Sequence, residues 1–257
     1  MIYAGIDAGS RAIKVVLING RDRRVMGSGI ADQGLKQEAL ASRLFDRVLK
    51  RAGVRRRGIR RIVATGWGRD AVTFADTTIT EITCQACGVY REQGDAKTVV
   101  DIGGQDSKLI RLDTGGKVRD FVMSDRCAAG TGRFLEVVAA RLEVPLGSLG
   151  ELAGLATKPS AINSMCVVFA ETEIIGLLAS GEKPANIAAG VQASVSARIA
   201  SMAGRNISEP VVFTGGVALV SGMTQALESA LGYPVRVASR AQLTGALGAA
   251  ILASRPE

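Results

Sequence analysis

Histidine is absent from the 257 residues, and that absence removes imidazole general-base catalysis, Ser-His-Asp triads and histidine-ligated zinc. Aromatic residues make up only 4%, with one tryptophan, and no recognition motif for nucleic acid accompanies them, so no stacking platform for RNA or DNA is expected. No run of about 18 apolar residues occurs, and no membrane span is expected. The chain opens as a strand, Met1-Ile2-Tyr3-Ala4-Gly5-Ile6-Asp7, without the charged and apolar regions of a signal peptide, which points to the cytoplasm. Neither Gly-x-x-x-x-Gly-Lys-Ser/Thr nor Gly-x-Gly-x-x-Gly opening a crossover helix is found, so a P-loop enzyme and a dinucleotide-binding fold are both unsupported. Cysteines number only four. In a cytosolic chain of this size they suggest buried thiols, metal ligands or redox chemistry rather than a disulfide scaffold.

What is present is a globular composition, 47% hydrophobic, with net charge +8. The positive charge is uneven. Arg43, Arg47, Lys50, Arg51, Arg55, Arg56, Arg57, Arg60, Arg61 and Arg69 share a stretch whose sole acid is Asp46. Such a stretch suits an acidic partner, a coenzyme A phosphate or nucleic acid, and equally a solvated helix face.

Two segments repeat one design. Ile2 to Ile18 alternates as a strand, turns at Asp7-Ala8-Gly9-Ser10 and resumes; Thr98 to Leu112 does the same around Asp101-Ile102-Gly103-Gly104-Gln105-Asp106. Duplicated α/β lobes follow from that repetition. Apolar spacing predicts helices over 37–52, 130–142, 169–180, 184–204, 221–231 and 243–253, and strands over 59–65, 210–214 and 234–238. Glycine turns after strands admit phosphate oxygens close to the backbone, and an aspartate in the same turn can hold magnesium through water. The first turn would engage phosphate with Ser10 and Lys14, the second with Gly103, Gly104 and Gln105, and Thr214-Gly215-Gly216-Val217 would open against adenosine. Lys108 and Arg133 suit either phosphate or solvent.

Cys127 and Cys166 each precede an expected helix start, where unpaired N–H groups and the helix dipole favour a thiolate. Two thiolates do not complete a cubane cluster, but two chains about a two-fold axis supply the four it needs. Two buried thiols are the plainer reading. Cys84 and Cys87 form a C-x-x-C pair, so a single zinc or cluster bound by all four cysteines of one chain is a further alternative. Glu171 and Glu173 suit the first turn of the second helix, complementing its dipole.

These segments resemble two nested groups. The three glycine turns resemble the superfamily of actin, sugar kinases and chaperone ATPases, which implies two duplicated actin/ribonuclease-H-like lobes closing on ATP. Within it, Gly5-Ile6-Asp7-Ala8-Gly9-Ser10 with Lys14, 64–69, 101–108, 127–135, 166–171 and 213–217 resemble the activators of 2-hydroxyacyl-CoA dehydratases, related to the ATP-binding subunits of benzoyl-CoA reductase. The resemblance implies lobes at 1–95, joined by a closing helix at 243–255, and at 96–242. It implies nucleotide contacts at Asp7, Ala8, Gly9, Ser10, Lys14, Gly103, Gly104, Gln105, Asp106, Gly130, Thr131, Gly215, Gly216 and Val217. Asp7 and Asp101 would flank magnesium, and Gln105 or Asp106 would orient the attacking water. Cys127 and Cys166 would hold one [4Fe–4S] cluster per homodimer. The implied activity is ATP-driven transfer of single electrons, received from ferredoxin or flavodoxin, to an iron–sulfur dehydratase or reductase component. The family commonly has histidine where Gln85 stands, and Cys84 and Cys87 then read as structural. A small-molecule kinase and a non-redox regulatory ATPase of the same superfamily are the competing functions.

Overall fold

A computed structural model describes residues 1–255 except 126, 164, 165 and 205. Arg126, Ser164 and Met165, which belong to the two cysteine segments, lie outside the described residues. In chain order the strands and helices of the first part are β1 (Ile2–Ala8), β2 (Ala12–Asn19), β3 (Val25–Asp32), α1 (Gln37–Arg51), β4 (Ile59–Thr65), β5 (Thr77–Thr78) and α2 (Glu81–Glu92). There follow β6 (Thr98–Ile102), β7 (Ser107–Leu112), β8 (Val118–Ser124), α3 (Gly132–Arg141), α4 (Leu149–Ala153), α5 (Val167–Ala179), α6 (Pro184–Ala203), β9 (Val211–Thr214), α7 (Met223–Leu231), β10 (Val235–Val237) and α8 (Thr244–Ala253).

The chain divides into two units, residues 1–96 with 112–119 and 238–257, and residues 97–111 with 120–237. Each is built on a five-stranded sheet, ordered β3-β2-β1-β4-β5 in the first and β8-β7-β6-β9-β10 in the second. The two orders are the same once β1 is matched to β6, β2 to β7 and so on, which is the duplication expected from the repeated hairpins. In both, the hairpin is antiparallel and the strand after it, β4 or β9, joins the other side of the first strand in parallel.

Strand alternation decides the layering of the first unit. Ala4, Ile6 and Ala8 of β1, with Ile13, Val15 and Leu17 of β2, face the apolar stripe of α1: Ala41, Leu44, Phe45, Val48 and Leu49. Each large side chain buried there contributes roughly 1.5–3 kcal/mol of transfer free energy. Val16 and Ile18 face the other way, onto Ala246, Leu247, Ala250 and Ile251 of α8. The basic stretch is carried by α1, the loop after it and the start of β4, where Arg43, Arg47, Lys50, Arg51, Arg55, Arg56, Arg57 and Arg60 are exposed. Arg56 also lies 5.3 Å from the centre of the Phe45 ring and 4.8 Å from that of Phe74.

Helix α8 reaches the sheet and α2 because glycines remove the side chains in its path. A Cβ at Gly248 would stand 1.7 Å from the carbonyl oxygen of Cys84, and one at Gly88 would stand 1.9 Å from that of Thr244. The two helices therefore touch backbone to backbone. In the second unit β6 and β7 are buried throughout, and α6 turns Ile187, Val191, Val195 and Ile199 inward as their four-residue spacing requires. Expectation and structure differ at some ends: 128–130 is a 3-10 turn, and α3 begins only at Gly132. Among the described residues no helix is long and apolar enough to cross a membrane.

Gly248→Ala is expected to cost about 3 kcal/mol or more, because the added methyl meets backbone rather than a movable side chain. Gly147→Ala, where nothing lies within 4 Å, is expected to change stability by less than about 0.5 kcal/mol. Denaturant midpoints of the two variants check this.

Candidate functional site

In the first unit the site is set by β1 and β2. Register pairs Asp7 with Lys14 across the hairpin, and the Lys14 amine lies 3.1 Å from Asp7 Oδ2. Asp7 ends the β1 face that α8 covers, so its carboxylate meets the first turn of that helix. A Cβ at Gly245 would lie 3.2 Å from Asp7 Oδ2 and 3.1 Å from Gln85 Oε1. The positive end of α8 suits that carboxylate. Ala8, Gly9 and Ser10 follow in the turn, which Gly9 closes by donating its N–H to the Ala12 carbonyl at 3.1 Å.

The second unit repeats the pair. Asp101 stands opposite Lys108 in register, and Lys108, only 3% exposed, places its amine 3.5 Å from Asp101 Oδ2 and 2.8 Å from Asp106 Oδ1. A buried ammonium with two carboxylates is stable only while both partners stay. Asp106 is thus committed to Lys108, whereas Gln105 is exposed at the tip of the turn. Gly103 closes the turn by donating its N–H to the Asp106 carbonyl at 2.9 Å.

Two further segments converge on this turn. The N–H groups of Gly132 and Arg133, the first two residues of α3, donate to the carbonyls of Gly103 at 2.9 Å and Gly104 at 2.8 Å. Ser107 Oγ donates to the carbonyl of Gly130. Thr131 lies between, its hydroxyl on the Ala128 carbonyl at 2.7 Å. From β9, Gly215 adopts φ +90°, and a Cβ there would stand 2.2 Å from the Ile102 carbonyl oxygen and 2.6 Å from Asp101 Oδ1; only glycine fits. Gly216 and Val217 continue from it, with Val217 Cγ2 3.3 Å from the place a Gly132 side chain would begin. Residues 101–107, 130–133 and 215–217 form one hydrogen-bonded and packed constellation within this unit.

The cysteines fall into two kinds. Cys84 is buried against Val63, Ala249 and Ala253, and burial pushes its thiol up to about 12. Cys87 is half-buried, its thiol also raised by burial, with Arg255 and Arg23 opposing the shift. Both sit on α2 and pack the helix pair, as the structural reading expects. Cys166 is exposed immediately before α5, and Cys127 half-buried immediately before the 128–130 turn. Cys127 therefore lies five residues ahead of the Gly132 hydrogen bond to Gly103. Helix α5 is tied to α3 by the ion pair of Glu171 with Arg141, and Glu173 accepts the Asn163 N–H at 2.9 Å. Both glutamates lie past the first turn of α5, contrary to expectation, and serve as such ties. Arg133 pairs with Glu136 at 3.0 Å.

Large apolar residues are exposed on α5, which follows Cys166, and on β8, which precedes Cys127. Helix α5 buries Ala170 and Ile174 but leaves Val168, Phe169 and Ile175 exposed at 67%, 70% and 47%, and β8 leaves Phe121 exposed at 50%. Sequence reasoning missed Gln85 as a neighbour of Asp7, Ser107 as a tie to Gly130, and the burial of Lys108. The equal Asp-to-Lys spacing of the two hairpins was a signal for the cross-strand pairing of Lys108 with Asp101, though not for its burial.

Comparison with known proteins finds relatives along nearly the whole chain. Residues 4–253 match the BadF/BadG/BcrA/BcrD ATPase family. The chain is 42% identical to the activator of lactoyl-CoA dehydratase of Anaerotignum propionicum over 255 residues, 98% of this chain and 97% of that protein. It superposes on the activator of the 2-hydroxyisocaproyl-CoA dehydratase from Clostridium difficile, solved with bound ADPNP, at TM-score 0.93 and 38% identity, covering 99% of this chain and 94% of that one. A ROK family glucokinase from Streptomyces griseus, at TM-score 0.61 and 16% identity over 98% of this chain and 99% of that one, shares the two-lobed α/β fold alone.

At pH 8 a thiol raised to about 12 is ionised to roughly one part in 10,000. Iodoacetamide is therefore expected to modify Cys166 in the folded protein and Cys84 only after unfolding, as read by peptide mass spectrometry. Equal labelling of the two would contradict the assignment.

Proposed function

Since the chain belongs to the BadF/BadG/BcrA/BcrD ATPase family, we propose that it is an ATP-dependent activator that passes single electrons to a 2-hydroxyacyl-CoA dehydratase-like iron–sulfur partner. The relatives are named activators of lactoyl-CoA and 2-hydroxyisocaproyl-CoA dehydratases, and that role is carried to this chain. The observation that supports it most is the pair of hydrogen bonds from Gly132 and Arg133 to Gly103 and Gly104. They make the turn assigned to phosphate and the segment behind Cys127 one piece.

Asp7 and Asp101 are assigned to magnesium through its water shell, since that ion keeps several waters and accepts one or two carboxylates beside substrate phosphates. Gly9 and Gly103 spend their own N–H groups closing their turns. Phosphate contact is therefore assigned to Ser10 and Lys14 in the first unit and to Gly104 and Gln105 in the second. Gln105 is the group proposed to orient the attacking water, because Asp106 holds Lys108. Ala8, Gly130, Thr131, Gly215, Gly216 and Val217 shape the remaining walls of the nucleotide contacts.

Cys127 and Cys166 fit an iron–sulfur cluster as donors: neither is in a disulfide, both precede helical turns, and Cys166 is exposed. Among the described residues of one chain no group of three or more cysteine or carboxylate side chains is placed to hold a metal, so the proposal takes two cysteines from each of two chains. A [4Fe–4S] cluster there would supply one-electron redox chemistry. The exposed apolar residues of α5 and β8 are assigned to the contact between copies, which would cover them. Ferredoxin or flavodoxin is the proposed donor, the location is cytoplasmic, and neither nucleic acid nor membrane has a part.

The test is iron and acid-labile sulfide per chain, with solution mass, on anaerobically purified protein. About two irons per chain in a dimer are expected, lost in Cys166→Ser while ATP analogue binding persists. About four irons per chain would place a cluster within each chain, and none after reconstitution would remove the electron-transfer role.

A further inference from the structure

A cavity of about 320 Å³ opens in the first unit where the β2–β3 turn meets the end of α2 and the approach to α8, and Arg23, Arg24, Arg91 and Arg240 line it. We propose that it binds a phosphorylated small molecule carrying at least two negative charges. Its volume lies at the lower end of the roughly 300–1,000 Å³ typical of small-molecule sites.

The charge of the lining supports an anion. Against the four arginines stand Asp22 and Glu92, a balance of 4 − 2 = +2. Both acids are engaged. Glu92 accepts the backbone N–H of Arg240 at 3.2 Å and its guanidinium at 3.1 Å. Asp22 accepts the backbone N–H of Arg24 at 3.1 Å, and Arg91 reaches only the Asp22 carbonyl, at 3.4 Å. Among the described residues Arg23, Arg24 and Arg91 form no ion pair. Guanidinium forks matched to phosphate oxygens are what such a lining offers. Val25 and Leu247 supply an apolar floor for the organic part of the ligand.

Backbone conformation points the same way. Arg23 has φ +56°, in the left-handed region that glycine or asparagine occupies at less cost, and it is fixed there by donating its N–H to the Asn19 carbonyl at 2.8 Å. The turn thus holds a strained arginine at the cavity where an unstrained glycine would fit the backbone, and strain of this kind is kept where a side chain is needed. The site is separate from the Asp7 turn. Lys14 pairs with Asp7 at one end of β2 and Asn19 with Ile2 at the other, about 17 Å away at 3.3 Å per residue.

The test is calorimetric titration of inorganic pyrophosphate into the full chain, with a non-hydrolysable ATP analogue saturating so that nucleotide contacts are filled. Wild type is expected to take up one equivalent. Arg91→Gln and Arg23→Gly are expected to bind at least about tenfold more weakly, and Arg23→Gly to melt at the same or a higher temperature, since its turn is relieved. Citrate, matched in charge, is expected to bind more weakly than pyrophosphate. No uptake by wild type, unchanged affinity in Arg23→Gly, or equal binding of citrate would overturn the proposal.

Discussion

The carbonyls of Gly103 and Gly104 accept the first two N–H groups of α3, and the rest of the second unit's chemistry depends on that junction. A helix start leaves N–H groups that must find acceptors. Here they find them in the glycine turn between β6 and β7, so the helix cannot shift without disturbing the turn. Cys127 stands just ahead of the helix, and Glu171 with Arg141 carries the connection on to α5 behind Cys166. The proposed coupling of nucleotide to redox centre needs no other route within the chain.

Around that junction the architecture is one hairpin used twice. In each unit an aspartate at the end of the first strand faces a lysine in register on the second, but the environments diverge. Lys14 has a side chain 18% exposed and one carboxylate beside it, whereas the Lys108 side chain is 4% exposed between two. The first pair is the one proposed to exchange its partner for a phosphate, while the second, buried between two carboxylates, is a support. One duplicated backbone thus holds two unlike pairs, one partly open and one buried.

Much of this was legible in the sequence. The repeated strand-turn-strand around Asp7 and Asp101 announced duplicated sheets, and apolar spacing located α1, α5, α6 and α8 to within a few residues. Position of the cysteines before helical turns was visible for the same reason. The junction itself was not, because a hydrogen bond between Gly104 and Arg133 leaves no periodic trace. Nor was the contact of α2 with α8, which rests on Gly88 and Gly248, residues far apart in the chain whose meaning appears only when two backbones meet. Gln85 stood out solely as a departure from a family pattern, and its place beside Asp7 came from the packing of those two helices.

The account is tested most directly by amide hydrogen exchange across residues 101–107 and 128–134, with and without a non-hydrolysable ATP analogue. Slower exchange at Gly132 and Arg133 together with the turn, while α1 stays unchanged, is the expected result, since a filled turn tightens the carbonyls those amides bond. Protection of 101–107 with no change at Gly132 and Arg133 would show nucleotide binding without coupling, and would contradict the proposed link to Cys127.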